Sequence, residues 1–427
     1  TGKSTRIRFI YEYALRKNMM VSLTSTTGVS AINIGGVTIH SWAGIGYCKK
    51  SARDIVKSMN KAVVIERLMD TSILVIDEVS MLKGSVLDTI DMVFRLLLKK
   101  NLPFGGKQII FSGDVLQLPP VEPDKDLDDP TDYFFKAKVW QEITKSMRFV
   151  ELNKTFRHPD KEWHQMLMRI RYSVTHEEDH KTLTERVCSE GKIKKDNPLL
   201  SPPRLFPLRS QVTRFNNMKL RELKTNEKEY EGHDVVFSKP RTVPIMSYYN
   251  PSKHFLRVNS IKLQFDLNKQ RSVKKVLDAY APRKQMFKTG SNVMLTMNML
   301  GDGLANGSQG IIKELGENYV TVLFPKDKLF KVCLAPHYLL VGRKFYVRFQ
   351  VPLMLSWACT IHKTHGLTME KAIIDLGPNV FAPSQAYVAL SRVRTIKGVY
   401  LLRYDPKSIK ADKEALDYAI KVAHMGQ

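Results

Sequence analysis

Two short segments carry residue types that can bind and cleave a phosphate chain. The first, Thr1-Gly2-Lys3-Ser4, matches the second half of the phosphate-loop pattern GxxxxGK[ST]. In that pattern the lysine reaches the β- and γ-phosphates, and the hydroxyl ligates magnesium. Backbone N–H groups at the start of the following helix would hold the phosphates. The first glycine of the pattern is not in the sequence, and we interpret the chain as one that begins partway through a longer protein.

The second segment is an apolar run at 73–76 (ILVI) that ends in two adjacent carboxylates, Asp77 and Glu78. A buried strand that ends in this way delivers one carboxylate to magnesium and the next to the attacking water. An ordinary strand followed by an acidic N-cap is the alternative. Because Lys3 and Ser4 stand upstream, we favour Asp77 as a metal ligand and Glu78 as the base.

A further apolar run leads into SGDVLQLPP at 112–120. The glycine and the two prolines predict a tight loop at the edge of the sheet. From this loop Gln117 could contact the γ-phosphate or position the water. An ordinary Gly/Pro turn is the alternative.

The elements that must position these residues alternate between strands and helices, which predicts a parallel α/β sheet. Strands are predicted at 21–25, 73–77 and 108–112, with a helix at 86–100. A second α/β set is predicted from about residue 195, with a strand at 204–207 and a helix at 210–223.

The stretch 231–350 has a different pattern, with short strands separated by Gly, Asn, Lys and Pro turns, as in a small β barrel or meander. Strands are predicted at 234–238, 254–258, 292–296, 309–313, 318–324 and 345–349. The α/β pattern resumes at 351–427 and ends in an amphipathic helix at 412–424, which we expect to pack on the second lobe.

These patterns predict two α/β lobes with a mainly β insertion in the second. The first lobe would span 1–195, with any 1B element at about 43–65. The second would comprise 196–230 and 351–427, and the insertion 231–350.

The composition favours a polyanionic partner, most simply nucleic acid, because the formal net charge is +25 and the pI is about 9.7. A merely lysine-rich chain is the alternative. Four cysteines lie far apart without a CxxC pair, and we expect an intracellular, reducing compartment. Nucleus, mitochondrion, bacterial cytoplasm and virus-infected cell are not distinguished. No apolar run reaches the roughly 18 residues of a transmembrane helix, so no membrane partner is expected.

Taken together, the motifs and their order resemble those of the Pif-one family of DNA helicases in superfamily 1B. The resemblance runs nearly the whole length of the chain. The matching segments are the phosphate loop, Asp77-Glu78, GDVLQLPP at 113–120, TGVSAINIGG at 27–36, TIHSWAG at 38–44, PFGGKQ at 103–108, FR at 156–157, NGSQG at 306–310, TIHKTHG at 360–366 and QAYVALSR at 385–392. The chain departs from the family at His365, where glutamine is usual, and at Trp42, where phenylalanine is common.

The resemblance implies an ATP-dependent DNA helicase that moves 5′-to-3′ on single-stranded DNA and unwinds the duplex. Its fold would be two RecA-like P-loop NTPase lobes with ATP between them and an SH3-like insertion of the 2B type. Partners would be single-stranded and forked DNA. The free protein would be a monomer, with an oligomer on DNA left open. ATP and magnesium would be the nucleotide and the metal.

The resemblance also assigns residues. Nucleotide contacts fall on Thr1, Gly2, Lys3, Ser4, Thr5, Asp77 and Gly366, and magnesium contacts on Ser4 and Asp77. Arg157 and Arg392 would stabilise the γ-phosphoryl charge, beside Glu78 and Gln117. DNA contacts fall on Thr27, Gly28, His40, Trp42, Thr360, His362 and Lys363. Trp42 would stack on a base, with a buried core tryptophan as the alternative.

Three other functions stay open from the sequence. One is a related superfamily 1B motor that acts on RNA. Another is a RecD-like motor subunit of a nuclease complex, which would need a partner chain because no nuclease carboxylate cluster is evident. The third is a single-strand-binding module with an inactive ATP site. Stimulation of ATP hydrolysis by DNA or by RNA would decide on the first of these, and hydrolysis itself would exclude the third.

Overall fold

The structure is a computed structural model, and it describes most of the chain. The described residues are 2–27, 30–31, 34–46, 48, 50–59, 61–120, 131–152, 155, 157–197, 201–238, 274, 277–278, 281–297, 299, 304, 307–325, 327–341, 344–364 and 367–425. The predicted site residues Thr1, Gly28 and Gly366, together with His365 and the strand predicted at 254–258, lie outside them.

The chain forms two compact units. The first comprises Thr1–Thr175, Ala382–Val388 and Ile409–Gln427, and the second comprises His176–Phe381 and Ala389–Ser408. The second unit therefore begins at His176, about twenty residues earlier than the sequence pattern predicted.

A four-stranded parallel sheet with the order β2-β1-β3-β4 organises the first unit. Its strands are β1 (Val21–Ser25), β2 (Val37–Thr38), β3 (Ile73–Asp77) and β4 (Gln108–Phe111). Its helices are α1 (Lys3–Arg16), α2 (Ile39–Ala43), α3 (Ala52–Ser58), α4 (Lys61–Asp70), α5 (Gly84–Leu98), α6 (Lys138–Ile143) and α7 (Lys161–Tyr172). The three strands and the long helix predicted for this region are confirmed, with shifts of at most two residues.

The core of the first unit explains why β3 is apolar along its whole length. All five of its residues are buried, because β1 and β4 flank the strand and helices cover the sheet. Helix α5 buries one face, including Leu87, Ile90 and Phe94. The segment expected to form a 1B element contains helix α3 and the start of α4, and its Ile55 joins this core.

The second unit contains a second parallel sheet, with the order β16-β5-β17-β18. Its strands are β5 (Arg204–Phe206), β16 (Ala358–Thr360), β17 (Ala372–Leu376) and β18 (Val399–Tyr404), and the helices are α8 (Glu177–Glu185), α9 (Glu190–Asp196) and α10 (Arg209–Glu222). Asn216 of α10 bonds both the N–H and the C=O of Ala358 and so fixes the start of β16. The predicted strand at 204–207 and helix at 210–223 are confirmed.

Between β5 and β16 the described chain is mainly antiparallel β structure, as predicted. The sheets have the orders β12-β11-β10-β9-β15, β13-β14-β7 and β6-β8. The strands are β6 (Glu227–Glu231), β7 (His233–Ser238), β8 (Lys284–Lys288), β9 (Asn292–Leu295), β10 (Gln309–Leu315), β11 (Tyr319–Phe324), β12 (Lys328–Cys333), β13 (Ala335–Val341), β14 (Lys344–Gln350) and β15 (Leu353–Leu355). The sequence patterns did not predict β6, β8, β12, β13 or β15.

The last two helices are α11 (Gln385–Leu390) and α12 (Lys413–Met425). Helix α12 occurs where it was predicted, but the expectation that it packs on the second lobe is wrong. Tyr418 stacks on Phe135 at a ring distance of 4.2 Å, and its hydroxyl accepts a hydrogen bond of 2.8 Å from Trp140 Nε1. Burial of this aromatic contact attaches the helix to the first unit.

No helix among the described residues is long and apolar enough to cross a membrane.

Candidate active site

The carboxyl edge of the first parallel sheet brings three predicted residues together. Asp77 ends β3, Glu78 follows it, and α1 begins at Lys3, immediately after Gly2. Gly2 has a φ of 84°, a left-handed conformation that favours glycine. Ligands of open α/β sheets bind at the carboxyl ends of the strands, so the fold itself makes this edge a candidate site.

Lys3 and Glu78 form an ion pair in which Lys3 Nζ lies 3.4 Å from Glu78 Oε2. Burial alone would lower the pKa of Lys3, but the carboxylates of Glu78, Asp114 and Asp77 together raise it above its ordinary value. Lys3 therefore stays protonated in this site. A fixed ammonium group here is suited to the β- and γ-phosphate oxygens of a nucleotide.

Asp77 is buried at 3% exposure, and its Oδ1 atom accepts no hydrogen bond from a described residue. Burial, followed by the neighbouring charge of Glu78, raises the pKa of Asp77. A buried carboxylate oxygen without a partner is costly unless a cation or donor satisfies it. Together with the hydroxyl of Ser4 in the first turn of α1, this oxygen fits a hard cation that prefers oxygen ligands, such as Mg²⁺.

Glu78 has a left-handed backbone, with a φ of 53° and a ψ of 44°. Such a conformation costs a non-glycine residue about 1–3 kcal/mol and persists only where neighbours enforce it. The hydroxyl of Thr26 donates a hydrogen bond of 3.0 Å to the Glu78 carbonyl, and the N–H of Val79 donates one of 3.0 Å to the Ser112 carbonyl. The segments that follow both neighbouring strands, β1 and β4, thus hold the peptide that carries the predicted base.

A close approach between two backbone segments explains the glycine at position 113, in the SGDVLQLPP segment after β4. A Cβ atom at this position would lie 2.9 Å from Val79 Cγ1 and 3.1 Å from the Val79 nitrogen. The backbone of Gly113 therefore passes close to the segment after Glu78, and only a residue without a side chain fits there.

The side chain of Gln117 is oriented by a carboxylate that the sequence did not single out as functional. Gln117 Nε2 donates to Asp114 Oδ2 over 2.9 Å, and Arg171 Nη2 of α7 donates to Asp114 Oδ1 over 2.7 Å. Burial would raise the pKa of Asp114, but Arg171, Lys3 and Gln117 outweigh it and lower that pKa. Asp114 is therefore an ionised anchor between Lys3 and Arg171.

A signal for Asp114 existed in the sequence, because it follows the end of a parallel strand, as Asp77 and Glu78 do. Arg171 had no such signal. It lies 57 positions further along, on a helix in which it looks like one of many basic surface residues.

The two arginines predicted to stabilise the γ-phosphoryl charge lie in different units. Arg157 belongs to the first unit, where burial lowers its pKa and the charges of Tyr387 and Glu78 oppose that effect. It therefore lies within electrostatic reach of the predicted base. Arg392 belongs to the second unit, is 1% exposed, and donates from Nη2 to Ser391 Oγ over 2.8 Å.

The residues predicted to contact DNA in the first unit have different environments. Thr27 is half-buried, and its hydroxyl oxygen accepts a hydrogen bond of 3.2 Å from the N–H of Ser30. His40 is half-buried on α2, where burial lowers its pKa, so it is neutral at pH 7.

The expectation that Trp42 stacks on a DNA base is wrong, because its side chain belongs to the core. Trp42 is 5% exposed, and its ring lies 5.7 Å from that of Phe94 on α5. Arg67 holds the same turn from the other side, since its Nη1 donates to the carbonyls of Ser41 and Trp42. The alternative interpretation, a buried core tryptophan, is the one that the structure supports.

The DNA residues predicted in the second unit lie at the end of β16 and in the turn that follows it. Thr360 is 8% exposed, and its hydroxyl oxygen accepts a hydrogen bond of 3.2 Å from the N–H of Lys363. His362 is half-buried and Lys363 is exposed. An exposed ammonium group after a strand can reach a phosphate, whereas Thr360 contributes mainly to the turn.

Comparison with known proteins gives consistent results for sequence and structure. Residues 1–181 match the family model described as PIF1-like helicase. The human "ATP-dependent DNA helicase PIF1" is 30% identical over 403 residues, which cover 92% of this chain and 56% of that protein. The chain thus spans little more than half the length of this relative.

Two solved structures extend the similarity over the whole chain. The Pif1 helicase of Bacteroides sp in complex with ADP-AlF4 has a TM-score of 0.74 and 27% identity, with 100% of this chain and 91% of that chain covered. The Bacteroides Pif1 helicase in complex with ADP-AlF3 and single-stranded DNA has a TM-score of 0.63 and 29% identity, with coverage of 100% and 92%. The two-lobed α/β fold predicted from the sequence is therefore confirmed.

Proposed function

The chain belongs to the PIF1-like helicase family, and we propose that the protein is an ATP-dependent DNA helicase. The observation that carries this proposal is the convergence of Lys3, Asp77 and Glu78 at the carboxyl edge of a parallel sheet. An ammonium group, a buried carboxylate oxygen that accepts no hydrogen bond from the described residues and a second carboxylate suit phosphoryl transfer to water.

Each residue has a role in this proposal. Lys3 binds the β- and γ-phosphate oxygens, and the N–H groups at the start of α1 add further donors. Glu78 accepts the proton of the attacking water, and Gln117 orients that water from its anchor on Asp114. Arg157 and Arg392 offset the charge that develops on the γ-phosphoryl group. Thr5 follows Ser4 in the first turn of α1 and is a further proposed nucleotide contact.

Ser4 and Asp77 would hold Mg²⁺, which would neutralise charge on the phosphate oxygens. The Oδ1 atom of Asp77, which accepts no hydrogen bond within the described part of the chain, supports this assignment.

Single-stranded and forked DNA are the proposed partners, with Thr27, His40, His362 and Lys363 as contacts in the two units. The net charge of +25 supports a polyanionic partner. We further propose 5′-to-3′ movement, an SH3-like character for the β insertion, and a monomer when free. All four cysteines lack disulfides, which supports an intracellular, reducing compartment.

The experiment is to measure ATP hydrolysis by the natural full-length protein alone, with single-stranded DNA and with RNA of the same sequence. Unwinding is then measured on duplexes with a single-stranded tail at the 5′ or the 3′ end. The proposal expects stimulation by DNA and unwinding only from the 5′ tail. Stimulation by RNA alone would show an RNA motor, and DNA binding without hydrolysis would show a binding module.

A further inference from the structure

Three consecutive hydroxyl groups, two in β1 and one just after it, donate hydrogen bonds to main-chain carbonyls of β3 or of the residue that follows β3. The hydroxyl of Thr24 donates to the Val75 carbonyl over 2.6 Å, and that of Ser25 donates to the Asp77 carbonyl over 3.1 Å. The third comes from Thr26, just after the strand, whose hydroxyl donates to the Glu78 carbonyl over 3.0 Å. The first of these bonds lies within the sheet, whereas the third reaches the peptide of the predicted base.

The position of Thr26 in the chain also places it next to a predicted DNA contact. Thr26 immediately precedes Thr27, a predicted DNA contact, and its own N–H donates to the Asp77 carbonyl over 3.3 Å. One residue therefore joins the predicted DNA segment to the backbone of both Asp77 and Glu78.

The conformation of Glu78 shows why the bond matters. Its backbone is left-handed, with a φ of 53°, which a non-glycine residue keeps only when its surroundings enforce it. The Met81 N–H also donates to the Glu78 carbonyl, over 3.1 Å, but it comes from the turn that follows Glu78 itself. Thr26, in contrast, reaches that carbonyl from the segment that follows the neighbouring strand β1.

We propose that Thr26 is a positioning residue, which holds Glu78 in its left-handed conformation and makes the placement of this carboxylate sensitive to DNA bound at Thr27. The proposal rests on the proposed function. Without the Thr26 hydroxyl, the Glu78 side chain would lose its alignment with water, while Lys3, Ser4 and Asp77 would still bind ATP.

The test compares two threonine-to-valine substitutions that each remove one hydroxyl and keep the side-chain shape. Thr26→Val removes the bond to Glu78, and Thr24→Val, at a fully buried position, is the matched control that removes a bond within the sheet. The measurements are kcat and KM for ATP with and without single-stranded DNA, DNA affinity, and the thermal unfolding midpoint. Thr26→Ser, which keeps the hydroxyl, is the rescue.

For Thr26→Val we expect kcat with DNA to fall about ten- to a hundredfold, because a misplacement of about 1 Å costs up to about a hundredfold in rate. Stimulation by DNA should also decrease, while KM for ATP and DNA affinity stay within about twofold. Thr26→Ser should restore kcat. Thr24→Val should lower the unfolding midpoint and leave the kcat of the folded protein close to wild type.

The proposal would be overturned if Thr26→Val kept the wild-type kcat, if both valine variants lost kcat equally, or if Thr26→Val weakened DNA binding instead. If Thr26→Val did not fold, Thr26→Ala would be judged by the same criteria. A wild-type protein that does not hydrolyse ATP would overturn the proposed function itself, whereas an active wild type with an equally active Thr26 variant would overturn only this inference.

Discussion

The carboxyl edge of the first sheet and the short helix α2 both carry residues assigned from motifs. The structure agrees with the assignment at the sheet edge and disagrees with the one in α2. At the sheet edge, Lys3 and Glu78 meet within 3.4 Å beside Asp77. In α2, Trp42 turns into the core and contacts Phe94 instead of presenting its ring to solvent. A motif that follows a buried parallel strand fixes where its side chains lie, whereas a motif on a five-residue helix leaves that to packing.

The physical reason lies in the number of constraints on each backbone. Hydrogen bonds from both sides hold β3, so the residues after it emerge at one edge together with those after β1 and β4. Helix α2 has few internal hydrogen bonds and takes its orientation from the burial of its largest side chain, since that burial contributes most of its stabilisation.

The largest expected effect at the sheet edge is that of Glu78→Gln, which keeps the size of the side chain and removes the proposed base. Loss of general-base catalysis should lower kcat by about 10²–10⁴-fold. ATP binding should be retained, because Lys3, Ser4 and Asp77 are unchanged. Steady-state hydrolysis and equilibrium binding of a fluorescent ATP analogue measure the two effects.

Lys3→Ala is the matched variant for this comparison, because it removes the other partner of the ion pair. It should weaken ATP binding as well as turnover. Near-normal hydrolysis by Glu78→Gln would show that another group activates the water.

The assignment of Trp42 to the core predicts a large effect on stability. Trp42→Ala should lower the free energy of unfolding by about 3–5 kcal/mol, because it leaves a cavity beside Phe94. Urea denaturation measures this loss. The affinity of the folded variant for single-stranded DNA should stay within about twofold of wild type, since the ring does not stack on a base.

Trp42→Phe is the control, because it keeps an aromatic contact with Phe94 and should lose much less stability. A Trp42→Ala variant of wild-type stability with weakened DNA binding would restore the stacking role.

The difference between the two regions also shows what the sequence could predict. Strands at 21–25, 73–77 and 108–112 follow from β-branched, apolar runs, and the meeting of Asp77 with Lys3 follows from the parallel order of those strands. The burial of Trp42 could also have been predicted, because Ile39, Trp42 and Ala43 have the i, i+3, i+4 spacing of a buried helix face. The family motif that contains Trp42 instead indicates a stacking role, which this spacing contradicts.

Other features depend on contacts between residues far apart in the chain. Helix α12 has an apolar face in the sequence, but only the structure shows that Tyr418 stacks on Phe135 in the first unit. The pairing of Arg171 with Asp114 spans 57 positions, and local spacing does not indicate it. Both contacts arise from tertiary packing, which hydrophobic periodicity does not determine.

The smallest predicted effect concerns Lys363, the exposed cation among the DNA residues predicted after β16. If Lys363 neutralises one phosphate of single-stranded DNA, Lys363→Ala should make the slope of log affinity against log salt shallower by about 0.7. Between about 50 and 200 mM salt, the difference from wild type should therefore shrink by roughly two- to threefold. Equilibrium titrations at four or more salt concentrations measure the slope.

Lys397→Ala, at an exposed lysine of the same unit without an assigned DNA role, is the control and should keep the wild-type slope. A wild-type slope for Lys363→Ala would remove Lys363 from the DNA interface and leave the second unit without a tested cationic contact.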